Sequence, residues 1–192
     1  YDLPQWQKME QILLHMRDEE VIASVIMVID RGKNNFPSAG STNEDRYYRY
    51  AVARYAAFSN VTFDLGNEHN EYRSVPSWAN RLGALMMDWN PYDNLVSAHA
   101  YADHVYKNDP PNTDWCGWQE FQQYGTAAEN NAHIIANRDA PQPLINEEYG
   151  YEGDNAGADG HGQDHVKTRK DAWAIAVAGG LTLEEDWALK IT

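Results

Sequence analysis

Residues 61–72, with the sequence VTFDLGNEHNEY, join an apolar run to a dense group of polar side chains. Alternation with a period of two puts the valine, the phenylalanine and the leucine on one side, which is the pattern of a buried strand. The apolar run ends at Leu65, and Asn67 and Glu68 follow it. The pattern therefore predicts a strand whose carboxyl end, at the edge of a sheet, carries Glu68.

Helical and strand patterns alternate on both sides of this stretch. Apolar residues at helical spacing predict helices at 3–20, 44–59, 74–89, 125–139 and 165–180. Apolar runs rich in β-formers predict six strands, at 21–30, 61–66, 94–101, 114–122, 142–151 and 181–187. Such alternation predicts an α/β protein with a parallel sheet covered by helices.

The length of the repeating unit and the position of the polar residues favour a (β/α)8 barrel. Six strands in 192 residues give about 32 residues per unit, near the roughly 31 of such a barrel. Asp30, Glu68, His99 and Glu148 each fall at the carboxyl end of a different predicted strand, as an active-site face requires. An open doubly wound sheet shows the same alternation and also binds ligands at that edge. No linker interrupts the pattern, so we expect 1–192 to be a single domain.

The composition restricts the class of partner. A net charge of -14 opposes binding to nucleic acids and anionic membranes, because both would be repelled at long range. The longest apolar run, VIASVIMVI, is far shorter than the roughly 18 residues of a membrane span. Cys116 is the only cysteine, which excludes an intrachain disulfide and a cysteine-rich zinc site. We therefore expect neither nucleic acid nor membrane as a partner.

A second carboxylate lies at the end of another predicted strand. In PLINEEYGY, residues 143–151, an apolar pair leads into Glu147 and Glu148. Glu148 follows Glu68 by 80 residues, which is two to three barrel units, so the two can face each other across a barrel mouth. Glycosidic bond cleavage requires two such carboxylic acids. Carboxylates that only cap helices or bind solvent would show the same spacing, so the spacing alone leaves both interpretations open.

The two motifs resemble those of the clan A glycoside hydrolases. FDLGNEHNEY, residues 63–72, is similar to their fourth strand, which ends in Asn-Glu. PLINEEYGYEG, residues 143–153, is similar to their seventh, in which a Glu precedes an aromatic residue and a Gly. The aromatic-rich run before Glu68 and the YGYEG ending are most similar to the apiosidase-like barrel families of that group. The resemblance implies an incomplete (β/α)8 TIM barrel, in which the chain supplies about strands three to eight and belongs to a longer protein.

The resemblance also implies roles for individual residues. It implies a retaining mechanism, with Glu68 as general acid/base and Glu148 as nucleophile, and it places Asn67 at the 2-hydroxyl of the sugar. Glu147 and Glu148 are adjacent, so they should point to opposite sides of a regular strand. We choose Glu148 as the nucleophile because it directly precedes the aromatic residue and the glycine. A bulge at the strand end could reverse that choice.

Two further residues of the predicted site follow the next strand. The family often has a His and a Tyr there that orient the nucleophile or bind sugar, which implies these roles for His99 and Tyr101. The alternatives for His99 are a buried structural histidine and a metal ligand together with Asp103 and His104. The spacing of those three residues does not place them well on one helix face. His69 is expected to be a loop residue.

Aromatic side chains near predicted strand ends could stack on sugar rings. These candidates are Trp115, Trp118, Tyr151 and Trp187, and core packing is the alternative for each. The leading interpretation is thus a retaining O-glycoside hydrolase that acts on a carbohydrate and needs neither a metal nor a cofactor. Two alternatives are a metal-dependent barrel hydrolase or isomerase that uses His99, Glu148 and Asp103, and a carbohydrate-binding barrel without catalysis.

Overall fold

The computed structural model describes residues 2–28, 36–73, 77–101, 114–152 and 162–182. The helices are α1 (Leu3–Asp18), α2 (Thr42–Tyr55), α3 (Ser77–Trp89), α4 (Ala127–Asn137) and α5 (His165–Val177). The strands are β1 (Ala23–Ile26), β2 (Val61–Asp64), β3 (Val96–Ser97), β4 (His99–Ala100), β5 (Gln119–Gln122), β6 (Leu144–Glu148), β7 (Tyr151–Glu152), β8 (Gly162–Gln163) and β9 (Leu181–Thr182). The chain divides into two compact units, the first made of Tyr1–Ala98 and Pro111–Gly117, and the second of His99–Pro110 and Trp118–Thr192.

A parallel three-stranded sheet with the order β1-β2-β3 forms the centre of the first unit. Phe63 pairs with Val25 on one side and with Val96 on the other, and all three side chains are buried. The buried face of this sheet explains the apolar residues that alternate along β1 and β2. The predicted α/β class with parallel strands is confirmed.

Helix α2 begins at a cap that the sequence provides. Ser41 accepts a hydrogen bond from the backbone N–H of Glu44 at 3.2 Å, which satisfies one of the helix's unpaired donors. Glu44 itself is fully buried, and its carboxylate accepts bonds from the indole of Trp78 at 2.9 Å and from Arg81 at 2.6 Å. These partners offset the cost of burying a charge and connect α2 to α3.

A parallel four-stranded sheet with the order β4-β5-β6-β9 forms the second unit. Helices α4 and α5 pack against each other there, over a core of Phe121, Ile134, Leu144, Tyr149 and Ile175. Helix α4 begins at a capping box, in which Thr126 and Glu129 bond reciprocally. The backbone N–H and hydroxyl of Thr126 lower the pKa of Glu129, because they favour the ionised carboxylate.

The structure differs from the predicted elements in several places. The single strand expected at 94–101 is divided at Ala98 into β3, which pairs with β2, and β4, which pairs with β5. The strand expected at 114–122 is limited to β5, since Cys116 makes only an isolated bridge to Val96. The helix expected to reach residue 59 ends at Tyr55. The division at Ala98 arises because the two halves pair with different strands, and the other two differences concern the ends of elements.

Several expectations about organisation remain predictions. The incomplete barrel and the single domain spanning 1–192 are both in this group. Among the described helices, none combines the length and apolar character needed to cross a bilayer. Asp30 and the part of the last predicted strand beyond Thr182 lie outside the described residues.

Replacement of Tyr48 by Phe should destabilise the first unit. The Tyr48 side chain is fully buried, and its hydroxyl donates to the carbonyl of Leu65 at 2.6 Å, directly before the segment that carries Glu68. Loss of the donor leaves a buried carbonyl unsatisfied, which should lower the free energy of unfolding by about 1 to 3 kcal/mol. Urea denaturation of the native protein and of the variant measures this difference.

The destabilisation caused by Tyr48→Phe should become smaller at high pH. Burial, and then the neighbouring Glu44, raise the pKa of Tyr48 well above its ordinary value. The folded state therefore favours the neutral phenol, and this stabilisation is complete below about pH 10 and is lost as the pH rises further. The difference in the free energy of unfolding between the native protein and Tyr48→Phe should therefore decrease above pH 10. The exposed Tyr92 provides the control, since Tyr92→Phe should change the free energy of unfolding by less than about 0.5 kcal/mol.

Candidate active site

Backbone hydrogen bonds fix the segment that follows β2. The N–H of Gly66 donates to the carboxylate of Asp64 at 2.9 Å, and the N–H of Asn67 donates to the carbonyl of Val28 at 2.9 Å. The hydroxyl of Tyr72 donates to the carbonyl of Asn67 at 2.7 Å, which connects the two ends of the segment 67–72. Asn67 and the residue after it are thus presented from a rigid turn at the carboxyl end of β2.

Glu68 has a left-handed backbone conformation, with φ of 46°. This conformation costs a non-glycine residue roughly 1 to 2 kcal/mol, and such strain is frequent at functional positions. The side chain is half-buried, and a short 3-10 turn, His69–Glu71, follows. His69, expected in a loop, is fully buried and packs against the indole of Trp78 with ring centroids 5.5 Å apart.

An extra residue in β6 shapes the site of the second unit. Phe121 of β5 pairs with Asn146 of β6, but the next residue, Gln122, pairs with Glu148. Glu147 is therefore the additional residue of a β-bulge. The side-chain amide of Asn146 stabilises this irregularity, because it bonds both the N–H and the carbonyl of Gln123, at 3.3 and 3.1 Å.

The bulge brings both adjacent carboxylates to the same histidine. His99 Nδ1 lies 3.2 Å from Oε2 of Glu147, and His99 Nε2 lies 3.6 Å from Oε2 of Glu148. The expectation that the two glutamates point to opposite sides is wrong, because it assumed a regular strand. All three side chains are buried, and His99 is completely inaccessible.

A tyrosine that the sequence analysis did not single out also contacts the predicted nucleophile. The hydroxyl of Tyr124 donates to Oε1 of Glu148. Gln122 donates to the same hydroxyl at 2.8 Å, and the hydroxyl of Tyr151 lies 3.1 Å from it. The position of Tyr124, two residues beyond β5, was the available signal, since it lies at the carboxyl end of a parallel strand.

A third buried acid was also missed. Glu120 is fully buried in β5, where it pairs with His99 of β4, and the indole N–H of Trp118 donates to its carboxylate. A glutamate within a predicted strand was the signal for this residue. The predicted platform Trp118 is itself buried, at 7% exposure.

The remaining predicted site residues have different surroundings. Tyr101 directly follows β4 and is 40% exposed, which leaves part of its ring available. Trp115 packs against Gly83 and donates its indole N–H to Asn80 at 2.9 Å, both in α3. Its role in sugar binding remains a prediction. Trp187, Asp103 and His104 lie outside the described residues.

The second unit thus brings together His99, Glu148 and Tyr151 of the predicted site, whereas Asn67 and Glu68 belong to the first unit. A carboxylate that accepts a hydrogen bond from a phenol and lies beside an imidazole can act as a nucleophile, because the hydrogen bond orients its oxygens. Imidazole and carboxylate groups are also ligands for transition metals. The geometry is therefore compatible with either chemistry.

Comparison with protein families gives the assignment. A family model described as "Apiosidase-like, catalytic domain" matches residues 4–182. The chain belongs to this Apiosidase-like family. The resemblance recognised in the sequence is thereby confirmed, and the chain is a glycoside hydrolase-like catalytic domain. No curated protein matches the sequence.

Solved structures show the fold of this Apiosidase-like chain. It is similar to a "putative glycoside hydrolase" from Bacteroides vulgatus, at 19% identity and a TM-score of 0.73, over 94% of this chain and 35% of that one. A family 5 glycoside hydrolase from the same organism is similar at 14% identity and a TM-score of 0.68, over 94% and 43%. The catalytic domain of a mannanase from Streptomyces sp. is similar at 16% identity and a TM-score of 0.60, over 95% and 61%. The Apiosidase-like chain thus spans less than half the length of the two Bacteroides proteins.

Replacement of Gly150 by Ala should disturb the site beside Glu148. Gly150 has φ of +139°, and a Cβ there would collide with the side-chain amide of Gln163, which Lys167 holds at 2.7 Å. Strain and overpacking together should lower the free energy of unfolding by more than about 2 kcal/mol.

Gly179→Ala is the matched control, because Gly179 also has a positive φ, of +93°, but a Cβ added there would meet no atom within 4 Å. Only backbone strain, about 1 to 2 kcal/mol, should remain there. Equal losses for the two variants in urea denaturation would contradict the collision with Gln163.

Proposed function

We propose that this chain is the catalytic part of a retaining O-glycoside hydrolase that acts on a polysaccharide or oligosaccharide. The observation that carries the proposal is the fixed position of Glu148, with Oε1 bonded by Tyr124 and Oε2 beside His99. Membership of the Apiosidase-like family and the Asn-Glu motif at the end of β2 support the same chemistry. The substrate class is a carbohydrate, and no cofactor takes part.

Glu148 is the nucleophile of the first step. Its carboxylate attacks the anomeric carbon while Glu68 donates a proton to the departing glycosidic oxygen, so that the bond to the leaving group breaks as the glycosyl ester forms. The bond from Tyr124 directs Glu148 toward the substrate. The strained turn of Glu68 presents the acid at the end of a strand.

Glu68 is the base of the second step. It removes a proton from water, the water oxygen attacks the anomeric carbon, and the ester bond to Glu148 breaks. Two displacements at one carbon retain the anomeric configuration. Asn67 bonds the 2-hydroxyl, and His99, Tyr101, Trp115, Tyr151 and Trp187 complete the proposed binding site.

The proposed architecture follows from the same resemblance. The two units belong to one (β/α)8 barrel domain, in which the chain contributes about the third to the eighth strand. Parallel strands in both units and the likeness to glycoside hydrolase structures support this assignment.

Variants of the two glutamates test the mechanism in the full-length protein. A panel of aryl glycosides first identifies a substrate, and proton NMR of the initial product should show retained anomeric configuration. Glu148→Ala and Glu68→Ala should each lower kcat/KM by about 10³-fold or more. Azide should rescue both, giving a glycosyl azide of inverted configuration with Glu148→Ala and of retained configuration with Glu68→Ala.

Exposed glutamates near the two sites serve as controls. Glu152→Ala and Glu71→Ala should leave kcat/KM within about 3-fold of the native value, because neither side chain is buried. Near-native turnover by Glu148→Ala would reject its role as nucleophile. Sugar binding without turnover in the native protein would instead indicate a carbohydrate-binding barrel.

The contact between His99 and Glu147 favours a metal-dependent hydrolase or isomerase as a second candidate, because an imidazole nitrogen and a carboxylate oxygen lie 3.2 Å apart. Dialysis against EDTA discriminates the two functions. The glycosidase should retain its kcat/KM within about 2-fold, since neither step of the double displacement uses a metal. Loss of activity that returns on addition of Zn²⁺ or Mn²⁺ would favour the metal-dependent enzyme.

A further inference from the structure

Glu147 is a buried carboxylate that the proposed reaction does not use. Its side chain is only 4% exposed, and Oε2 lies 3.2 Å from Nδ1 of His99. Burial of a carboxylate is costly unless a hydrogen bond or an opposite charge compensates it. The β-bulge places Glu147 against the histidine instead of on the opposite side of the strand. Oε2 of Glu147 thus faces Nδ1 of His99 across a buried contact.

We propose that Glu147 is a positioning residue for the nucleophile, and that it acts through His99. Its carboxylate accepts the Nδ1 proton of His99 and thereby directs Nε2 toward Glu148. The proposal rests on the proposed role of Glu148 in glycoside cleavage. Glu147 itself touches neither the substrate nor the reacting atoms in this mechanism.

The two contacts of the His99 imidazole differ in length, and the shorter one is to Glu147. The 3.2 Å between His99 Nδ1 and Glu147 Oε2 is at the long end of hydrogen-bond distances, whereas the 3.6 Å between Nε2 and Glu148 is too long for a hydrogen bond. The hydrogen bond at one ring nitrogen determines which nitrogen carries the proton and how the ring is turned. Glu147 therefore orients the ring through Nδ1, and the orientation of the ring determines where Nε2 lies relative to Glu148.

The orientation of His99 matters because of the second contact to Glu148. Tyr124 fixes Oε1 of Glu148, and His99 Nε2 is the group beside Oε2. If the His99 ring turns, Oε2 of Glu148 loses Nε2 as its neighbour. The carboxylate of Glu148 is then fixed only through the hydrogen bond from Tyr124 to Oε1, and its orientation can change. The predicted cost is a loss in kcat, since alignment of the nucleophile is required in the transition state more than in substrate binding.

Two substitutions at position 147 separate positioning from packing. Glu147→Met keeps the length of the side chain but removes the strong acceptor, whereas Glu147→Gln keeps an amide oxygen that can accept the Nδ1 proton. In the full-length protein, Glu147→Met should lower kcat by about 10- to 100-fold and change KM by less than about 3-fold. Glu147→Gln should recover kcat to within about 5-fold of the native value.

The state of the ring is measured independently of activity. Histidine labelled with ¹⁵N in the ring shows which nitrogen is protonated, and the His99 signals are assigned from the spectrum of His99→Gln. The native protein and Glu147→Gln should show a protonated Nδ1 at His99, and Glu147→Met should lose that signature. Glu152→Met is the matched control, because Glu152 is an exposed glutamate of the neighbouring β7, and it should leave the His99 signals and kcat unchanged.

Several results would overturn the proposal. These are an unchanged His99 spectrum in Glu147→Met, an equal loss of kcat in the Met and Gln variants, or His99 signals that shift when EDTA is added. If Glu147→Met does not fold, a Glu147→Gln variant that loses both kcat and the Nδ1 signature also contradicts it. If the native protein cleaves no glycoside, the proposed function fails, while the spectra still support or reject the bond between Glu147 and His99.

Discussion

One extra residue in β6 is the constraint on which the candidate site of the second unit depends. In a regular parallel ladder, successive side chains alternate between the two faces of the sheet, so only one of two adjacent glutamates could contact a given neighbour. The bulge at Glu147 removes this restriction, and Glu147 and Glu148 both reach His99. The amide of Asn146 holds the bulge by bonding both backbone groups of Gln123. The β-bulge, which Asn146 stabilises, thus determines that both glutamates lie beside His99.

The two units use the same physical arrangement to present a carboxylate. In each, a buried apolar strand carries the chain to the edge of a parallel sheet, where polar side chains no longer have to be buried in apolar surroundings. In the first unit, backbone bonds and the hydroxyls of Tyr48 and Tyr72 fix the turn that carries Glu68. In the second, the hydroxyl of Tyr124 bonds Glu148, and His99 lies beside it. Rigid elements therefore position both groups, which is a requirement of catalysis by orientation.

The sequence was sufficient to predict the order of helices and strands, because burial periodicity and capping residues are encoded within a few neighbouring positions. It was also sufficient to recognise the family, since the Asn-Glu and Glu-aromatic-Gly motifs are contiguous. It did not identify Tyr124 or Glu120 as neighbours of the site. The Tyr124 contact joins the segment after β5 to β6, and Glu120 pairs with His99 of β4. No spacing along the chain specifies which residues meet across a sheet.

The sequence alone therefore determined the α/β class, the parallel strands and the placement of Glu68 and Glu148 at strand ends, because these depend on local patterns of apolar and polar residues. Only the tertiary structure decided that Glu147 joins Glu148 at His99, and that the strand expected at 94–101 is divided between two sheets. Register and bulges depend on the pairing of strands that are distant in sequence. That pairing is settled by packing of the whole unit, and a linear pattern does not contain it.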